Sequence, residues 1–266
     1  MMSKIPTLTN EYVAASEFAD LALDIATTLL ASGAHCGRIT RNLNRMAKHW
    51  NLEVQMQLTF TGVVLTVTSE FDPQHTVTRY HNTPPHSVHL ELLTEFSRLT
   101  WKVADGDLTF EEVKKETERI KKVNHYNYWC IAVAVGLSCA CLCLLAGGNL
   151  TDAIIACVAA FAGSMIRVFI LHHNFNPMIS FVIASFVTTM IAGTDMMFRW
   201  GAAPETTLAT AVLYLVPGVP LINSLIDLIE GYLSSAWNRA LFGASILLCI
   251  AVGMTLSIAL LGINNF

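Results

Sequence analysis

Charge is what this sequence lacks. Only 14% of its 266 residues are Asp, Glu, Lys or Arg, against roughly a quarter in soluble proteins, and the shortage is one-sided. Residues 1–128 hold 13 Lys/Arg and 15 Asp/Glu, whereas residues 129–266 hold 3 and 5. So few charges cannot cover a water-exposed surface, which excludes an all-soluble enzyme. The hydrophobic content of 53% and mean hydropathy of +0.50 exclude a disordered chain. A net charge of −4 without an extended basic patch excludes a nucleic-acid binder. No apolar segment lies between Met1 and Tyr12, so no signal peptide is read there and the N-terminal half is expected to remain cytoplasmic. A nucleophile elbow, a phosphate-binding loop and a zinc-hydrolase motif are also missing. No enzymatic activity and no cofactor are therefore expected.

The cysteines form no disulfide framework: of Cys36, Cys130, Cys139, Cys141, Cys143, Cys157 and Cys249, all but Cys36 sit in apolar stretches. Helical geometry turns Cys141 away from Cys139 and Cys143, so the triplet is expected to pack rather than bind metal.

The charged half reads as an α+β domain over residues 1–125. Phe18, Leu21, Leu23, Ile25 and Leu29 recur on a helical period between Glu17 and Ala31. A second helix is expected from Arg38 to Trp50, after punctuation by Gly33 and Gly37. Val54, Met56, Leu58 and Phe60 then alternate with polar residues over Glu53–Thr61, the pattern of a half-buried strand. Val63–Thr68 continues the strand reading. Phe71-Asp72-Pro73-Gln74 reads as a turn, and Thr76–Tyr80 as a strand pairing back. Helix returns from about His86 to Ala104, and Thr109 with Glu112 forms a capping box for a last helix. The basic residues Lys114, Lys115, Arg119, Lys121 and Lys122 near the end of that helix suit both its dipole and a membrane surface. His81, His86 and His89 lie close in sequence, but Glu91 supplies no convincing third ligand, so no metal is expected.

Five apolar segments follow: Trp129–Ala146, Asp152–Leu171, Pro177–Phe198, Thr206–Tyr232 and Leu241–Ile263. Each is long enough to cross ~30 Å of hydrocarbon. Lys114–Lys122, Arg167 and Arg239 place the N-terminus in the cytoplasm and the C-terminus on the outer side, with Arg199 the one dissenting cation. Small residues four apart (Ala156, Ala160 and Ser164; Ala159 and Gly163; Gly253 and Ser257) permit close helix contact.

The fourth segment carries Val216-Pro217-Gly218-Val219-Pro220 in its middle. Pro217 and Pro220 remove backbone donors and Gly218 removes stiffness, so the helix is expected to break. Its second half would start near Pro220 and present a partly positive N-terminus suited to a carboxylate. Asn223, Asp227 and Gly231 then share one face, with Glu230 beside them. A charge at membrane depth is costly and marks a polar pathway or an ion pair. Asp227 is accordingly the leading candidate, either as a carrier of a coupling proton or substrate ammonium, or as a partner of Arg167 or Arg239. Arg167 reads either as an anchor for a substrate carboxylate or as a snorkelling side chain.

These residues carry a resemblance. Leu29-Leu30-Ala31-Ser32-Gly33-Ala34, the Val54–Thr68 region, Val135-Gly136-Leu137-Ser138-Cys139-Ala140-Cys141, Val216–Asn223, and Asp227, Gly231 and Arg239 are similar to the threonine/serine exporter family in its split, five-span form. The resemblance implies an inner-membrane protein of bacteria that exports small carboxylates: threonine and serine, or C4-dicarboxylates such as succinate. It also implies a second, smaller membrane subunit carrying the remaining spans. The competing reading is a non-transporting regulatory or scaffold membrane protein whose cytoplasmic domain binds a ligand or partner.

Overall fold

The computed structural model describes residues 13–70, 76–123 and 126–263; the expected turn at Phe71–Gln74 lies outside them. The chain divides into two compact units, Met1–His125 with Val219–Leu241, and Tyr126–Gly218 with Phe242–Phe266. The first unit takes in, besides residues 1–125, a segment read from hydropathy as membrane span. The reason lies in its polar face, described below.

The first unit begins with helices α1 (Ala15–Ala31) and α2 (Cys36–His49) and an antiparallel sheet, β1 (Leu52–Leu58), β2 (Gly62–Ser69) and β3 (Thr76–Asn82), in that spatial order. β1 stops three residues short of the expected Thr61. Thr59 N–H and hydroxyl both bond the Gly62 carbonyl, which closes the hairpin. Val54 pairs with Val67, and Leu65 with Arg79. Val63, Leu65 and Val67 point inward against Phe18, Ile25, Leu29, Leu43, Met46 and Phe96. Trp50 meets Phe18 and Phe110 edge-on, with ring centroids 5.8 and 5.4 Å apart.

Helices α3 (Leu90–Ala104) and α4 (Phe110–Lys121) complete this part of the unit. α3 starts four residues later than the expected His86, because Ser87 and His89 N–H are spent on the Ala31 and Ser32 carbonyls and the His89 side chain caps the helix by accepting from Leu92 N–H. The expected Thr109/Glu112 capping box is present at α4.

The second unit holds α5 (Tyr128–Leu145), α6 (Leu150–His172), α7 (Pro177–Phe198), α8 (Pro204–Val212) with a tight turn at Leu213–Leu215, and residues from Phe242 onward of the last helix. Asn127, Asn149 and Asn176 cap α5, α6 and α7 through their side chains. Tight contacts centre on glycines: a Cβ on Gly136 would lie 2.9 Å from the Cys157 carbonyl, and one on Gly253 would meet the Val182 carbonyl and the Ser185 hydroxyl. Large apolar side chains such as Leu137, Ile154, Val158, Phe169, Leu248 and Leu260 are exposed, as lipid contact requires. Among the described residues four helices are long and apolar enough to cross a membrane. Counting the broken pair Pro204–Leu215 and Gly218–Ile229 as one span makes five.

Two helices remain, α9 (Gly218–Ile229) and α10 (Leu233–Leu261). The break before α9 falls where the prolines put it: Val216 is extended, and Gly218 N–H bonds the Val216 carbonyl at 2.8 Å. α10 begins eight residues before the expected Leu241.

Candidate functional site

Two polar arrangements stand out among the described residues, one in each unit. The first is built from the turn between α1 and α2 and from α9 and the start of α10. Gly33 takes φ +92°, a backbone region open to glycine at little cost. The chain thereby closes α1 with an Ala34 N–H bond to the Leu29 carbonyl and enters α2 at Cys36. This presents free N–H groups at the N-terminus of α2 and free carbonyls at Gly33 and Ala34. A helix N-terminus attracts anions, and α9 supplies them.

Asp227 is fully buried. Its Oδ1 accepts from Cys36 N–H at 2.7 Å, and its Oδ2 lies 3.0 Å from Arg239 Nε on α10. Arg239 is itself buried and donates through Nη2 to the Ala34 carbonyl at 2.7 Å. Asn223, one turn before Asp227, donates to the Gly33 carbonyl at 2.8 Å. Glu230 takes Arg41 Nη1 at 2.8 Å and His35 Nδ1 at 3.2 Å. Its carboxylate occupies the space that a Cβ on Gly37 would fill, so Gly37 is what lets a second carboxylate approach the α2 N-terminus. Gly231, at φ +88°, ends α9, and Tyr232 N–H bonds the Asp227 carbonyl. The turn thus brings Arg239 back beside Asp227.

The segment read as apolar membrane helix is amphipathic. Asn223, Ser224 and Asp227 are buried, whereas Ile222, Leu225, Leu228 and Ile229 are exposed. Hydropathy averages over both faces and so misses the polar one. The same cause explains the early start of α10: Ser235 and Arg239 are buried in the first unit. Of the residues singled out from sequence, Asn223, Asp227, Glu230 and Arg239 meet here, and Asp227 pairs with Arg239. Pro220 lies in the first turn of α9. Pro217 and Gly218 form the break, and Arg167 lies in the other unit.

His35, Asp227 and Glu230 bring ligand-type atoms within 4.8 Å of one another, yet the carboxylates are already neutralised by Arg239 and Arg41. The three histidines singled out from the sequence serve locally. His81 Nδ1 meets the Asn82 carbonyl, His86 stacks on Phe60, and His89 caps α3.

Burial pushes the Cys36 thiol up to about 11, with the Ser235 hydroxyl opposing the shift. The thiolate is the reactive form. Cys36 is therefore expected to resist maleimide at pH 7.5 in the folded chain and to react on unfolding, as read by mass mapping. Rapid labelling of native Cys36 would show that α9 does not cover it.

The second arrangement lies in the second unit. Asp152 and Asp195, both fully buried, converge on the Thr207 hydroxyl at 3.3 and 2.9 Å. Asp195 also accepts from Gly201 N–H, and Asp152 from Asn149 N–H, each at 2.7 Å. Beside them opens a cavity of about 530 Å³ lined by Arg199, Gly201, Glu205 and Leu261. Sequence reasoning missed this pair. Its signal was the presence of two aspartates in a stretch nearly empty of charge. Elsewhere in the unit, the Arg167 guanidinium carbon lies 4.4 Å from the Phe181 ring centroid, and the Tyr214 and Thr188 hydroxyls are 3.1 Å apart.

A relative in Klebsiella aerogenes named "Probable succinate transporter subunit YjjP" is 27% identical over 250 residues, covering 92% of this chain and 95% of the relative. Its namesake in Escherichia coli K12 is 25% identical over 248 residues, with the same coverage. A "Probable threonine/serine exporter" of Mycobacterium tuberculosis is 22% identical over 251 residues, covering 92% of this chain but 46% of the relative. No solved structure matches. The family described as "Putative threonine/serine exporter" matches residues 20–261, and the chain belongs to that family.

Proposed function

We propose that this chain is one membrane subunit of a two-component secondary exporter of small carboxylates in the bacterial inner membrane. Its partner would be a second, smaller membrane subunit of the same family. The observation that carries the reading is one of length: the chain is matched almost throughout, yet spans about half of the mycobacterial exporter. The word "subunit" in the names of the relatives matched end to end supports it. The N-terminal unit is cytoplasmic in this reading and the C-terminus lies outside, following the basic residues before α5.

Succinate, threonine and serine are the candidate substrates, and protons the candidate coupling ion. Asn223, Asp227, Glu230 and Arg239, the Pro217-Gly218 break with Pro220, and Arg167 are the proposed pathway residues. The ion pair bears on the choice of substrate. Arg239 neutralises Asp227, so a dianion would meet no net repulsion there, and a proton carried by Asp227 would have to replace Arg239.

Efflux of labelled succinate, threonine and serine from cells tests the proposal. The pair is expected to export and the single chain is not. Asp227→Asn in the pair is expected to abolish the pH dependence of efflux. Unchanged pH dependence would remove Asp227 from the coupling step.

A further inference from the structure

Among the described residues, Arg167 is the cation of the second unit that is drawn inward without a carboxylate. It lies on α6, five residues or about 8 Å from the helix end, and no ion pair reaches it among those residues. Its Nε is buried without a hydrogen-bond partner. A snorkelling arginine would extend its head to water; here the guanidinium lies against the Phe181 ring. That ring covers one face of the guanidinium and satisfies none of its N–H donors. Arg167 is half-buried, and a charge held partly out of water with an unpartnered donor is costly unless something else completes it.

Tyr214 OH lies 3.1 Å from Thr188 Oγ1. Two hydroxyls bonded to each other use one of their hydrogens and leave the other to donate. Thr188 is fully buried. Both hydroxyls press on α6 at Gly163, one turn before Arg167, where a Cβ would strike the two of them. The absent side chain at Gly163 is what admits them to the face that carries Arg167.

We propose that Arg167, Tyr214 and Thr188 form a binding site for one carboxylate group within the second unit. A guanidinium edge matches a carboxylate with two parallel N–H bonds, and the spare hydroxyl hydrogen serves a carboxylate oxygen. One such group is common to a dicarboxylate and to an amino acid, so the site deepens the export reading on which it rests and takes either class.

The test uses the purified full chain in detergent, with thermal stability followed against succinate, threonine and the uncharged diamide succinamide. Succinate or threonine is expected to stabilise the chain and the diamide is not. Arg167→Gln is expected to weaken the carboxylate affinity roughly tenfold to a hundredfold. Tyr214→Phe, which keeps the ring, should weaken it by roughly threefold to tenfold. Arg167→Lys keeps the charge and loses the fork, and it should also bind more weakly while folding normally. Arg98→Gln, exposed on α3, serves as the control, with unchanged affinity. Wild-type affinity in Arg167→Gln and Arg167→Lys, or equal stabilisation by the diamide, would overturn the site. Arg167-dependent binding without any efflux by the pair would uphold the site and overturn the export reading alone.

Discussion

Asp227→Ala is expected to destabilise the first unit by about 3–5 kcal/mol, the usual cost of removing one partner from a buried ion pair. The variant would leave Arg239 charged and buried with only the Ala34 carbonyl and the Ser235 hydroxyl for company. It would also leave Cys36 N–H without an acceptor at the N-terminus of α2. Arg239→Ala should cost a similar amount, since it strands the Asp227 carboxylate instead. The double variant Asp227→Leu/Arg239→Met should recover more than half of the loss, because it leaves no unpaired buried charge, the remainder being the Cys36 N–H and Ala34 carbonyl that lose their partners. Hydrogen exchange over residues 33–37 in the full chain reads the effect locally. Faster exchange in each single variant and slower exchange in the double one is the expected pattern. Wild-type protection in the single variants would show that the pair does not hold α9 and α10 to the α1–α2 turn.

The second large effect is expected at Gly253 on α10. A Cβ there would collide with the Val182 carbonyl and the Ser185 hydroxyl and would lie 3.0 Å from Phe186 N, all on α7. The hydroxyl can rotate away and the backbone cannot. Gly253→Ala should therefore force α7 and α10 apart and cost about 1–3 kcal/mol, with Gly253→Leu costing more. The Ser257 hydroxyl bonds the Phe186 carbonyl at 3.0 Å one turn further along the same seam, and this bond would be lost with the separation. Melting of the detergent-solubilised chain measures it, with Ala251→Leu on the exposed face as a control expected to melt like wild type. Equal melting of Gly253→Ala and wild type would contradict the close packing of this seam.

The sequence made local structure legible wherever local rules decide it. The helical period of Phe18–Leu29, the alternation over Val54–Leu58, the Thr109/Glu112 box and the proline break at Val216–Pro220 all recur in the structure. The limits of α5, α6 and α7 were also legible, because asparagine caps and a proline mark them. Partner choice between distant segments was not. Nothing near Asp227 indicates that the donor it accepts from is an N–H 191 residues away, or that Gly37 is a glycine because Glu230 must fit against it. Hydropathy also misjudged Leu233–Ala240. A helix with an apolar exposed face and one buried arginine reads on average as a loop followed by a span. Asp152 and Asp195 were hidden for a related reason, since their meeting at Thr207 depends on how three helices pack.

Transport itself decides the account. The most direct measurement is counterflow of labelled succinate, threonine and serine into liposomes that contain the purified chain, its second subunit, or both. Accumulation of at least one of these carboxylates only where both subunits are present is the predicted result. Accumulation with neither subunit alone nor the pair would contradict export and leave a regulatory or scaffold membrane protein, with Asp227 and Arg239 serving only to hold the first unit together.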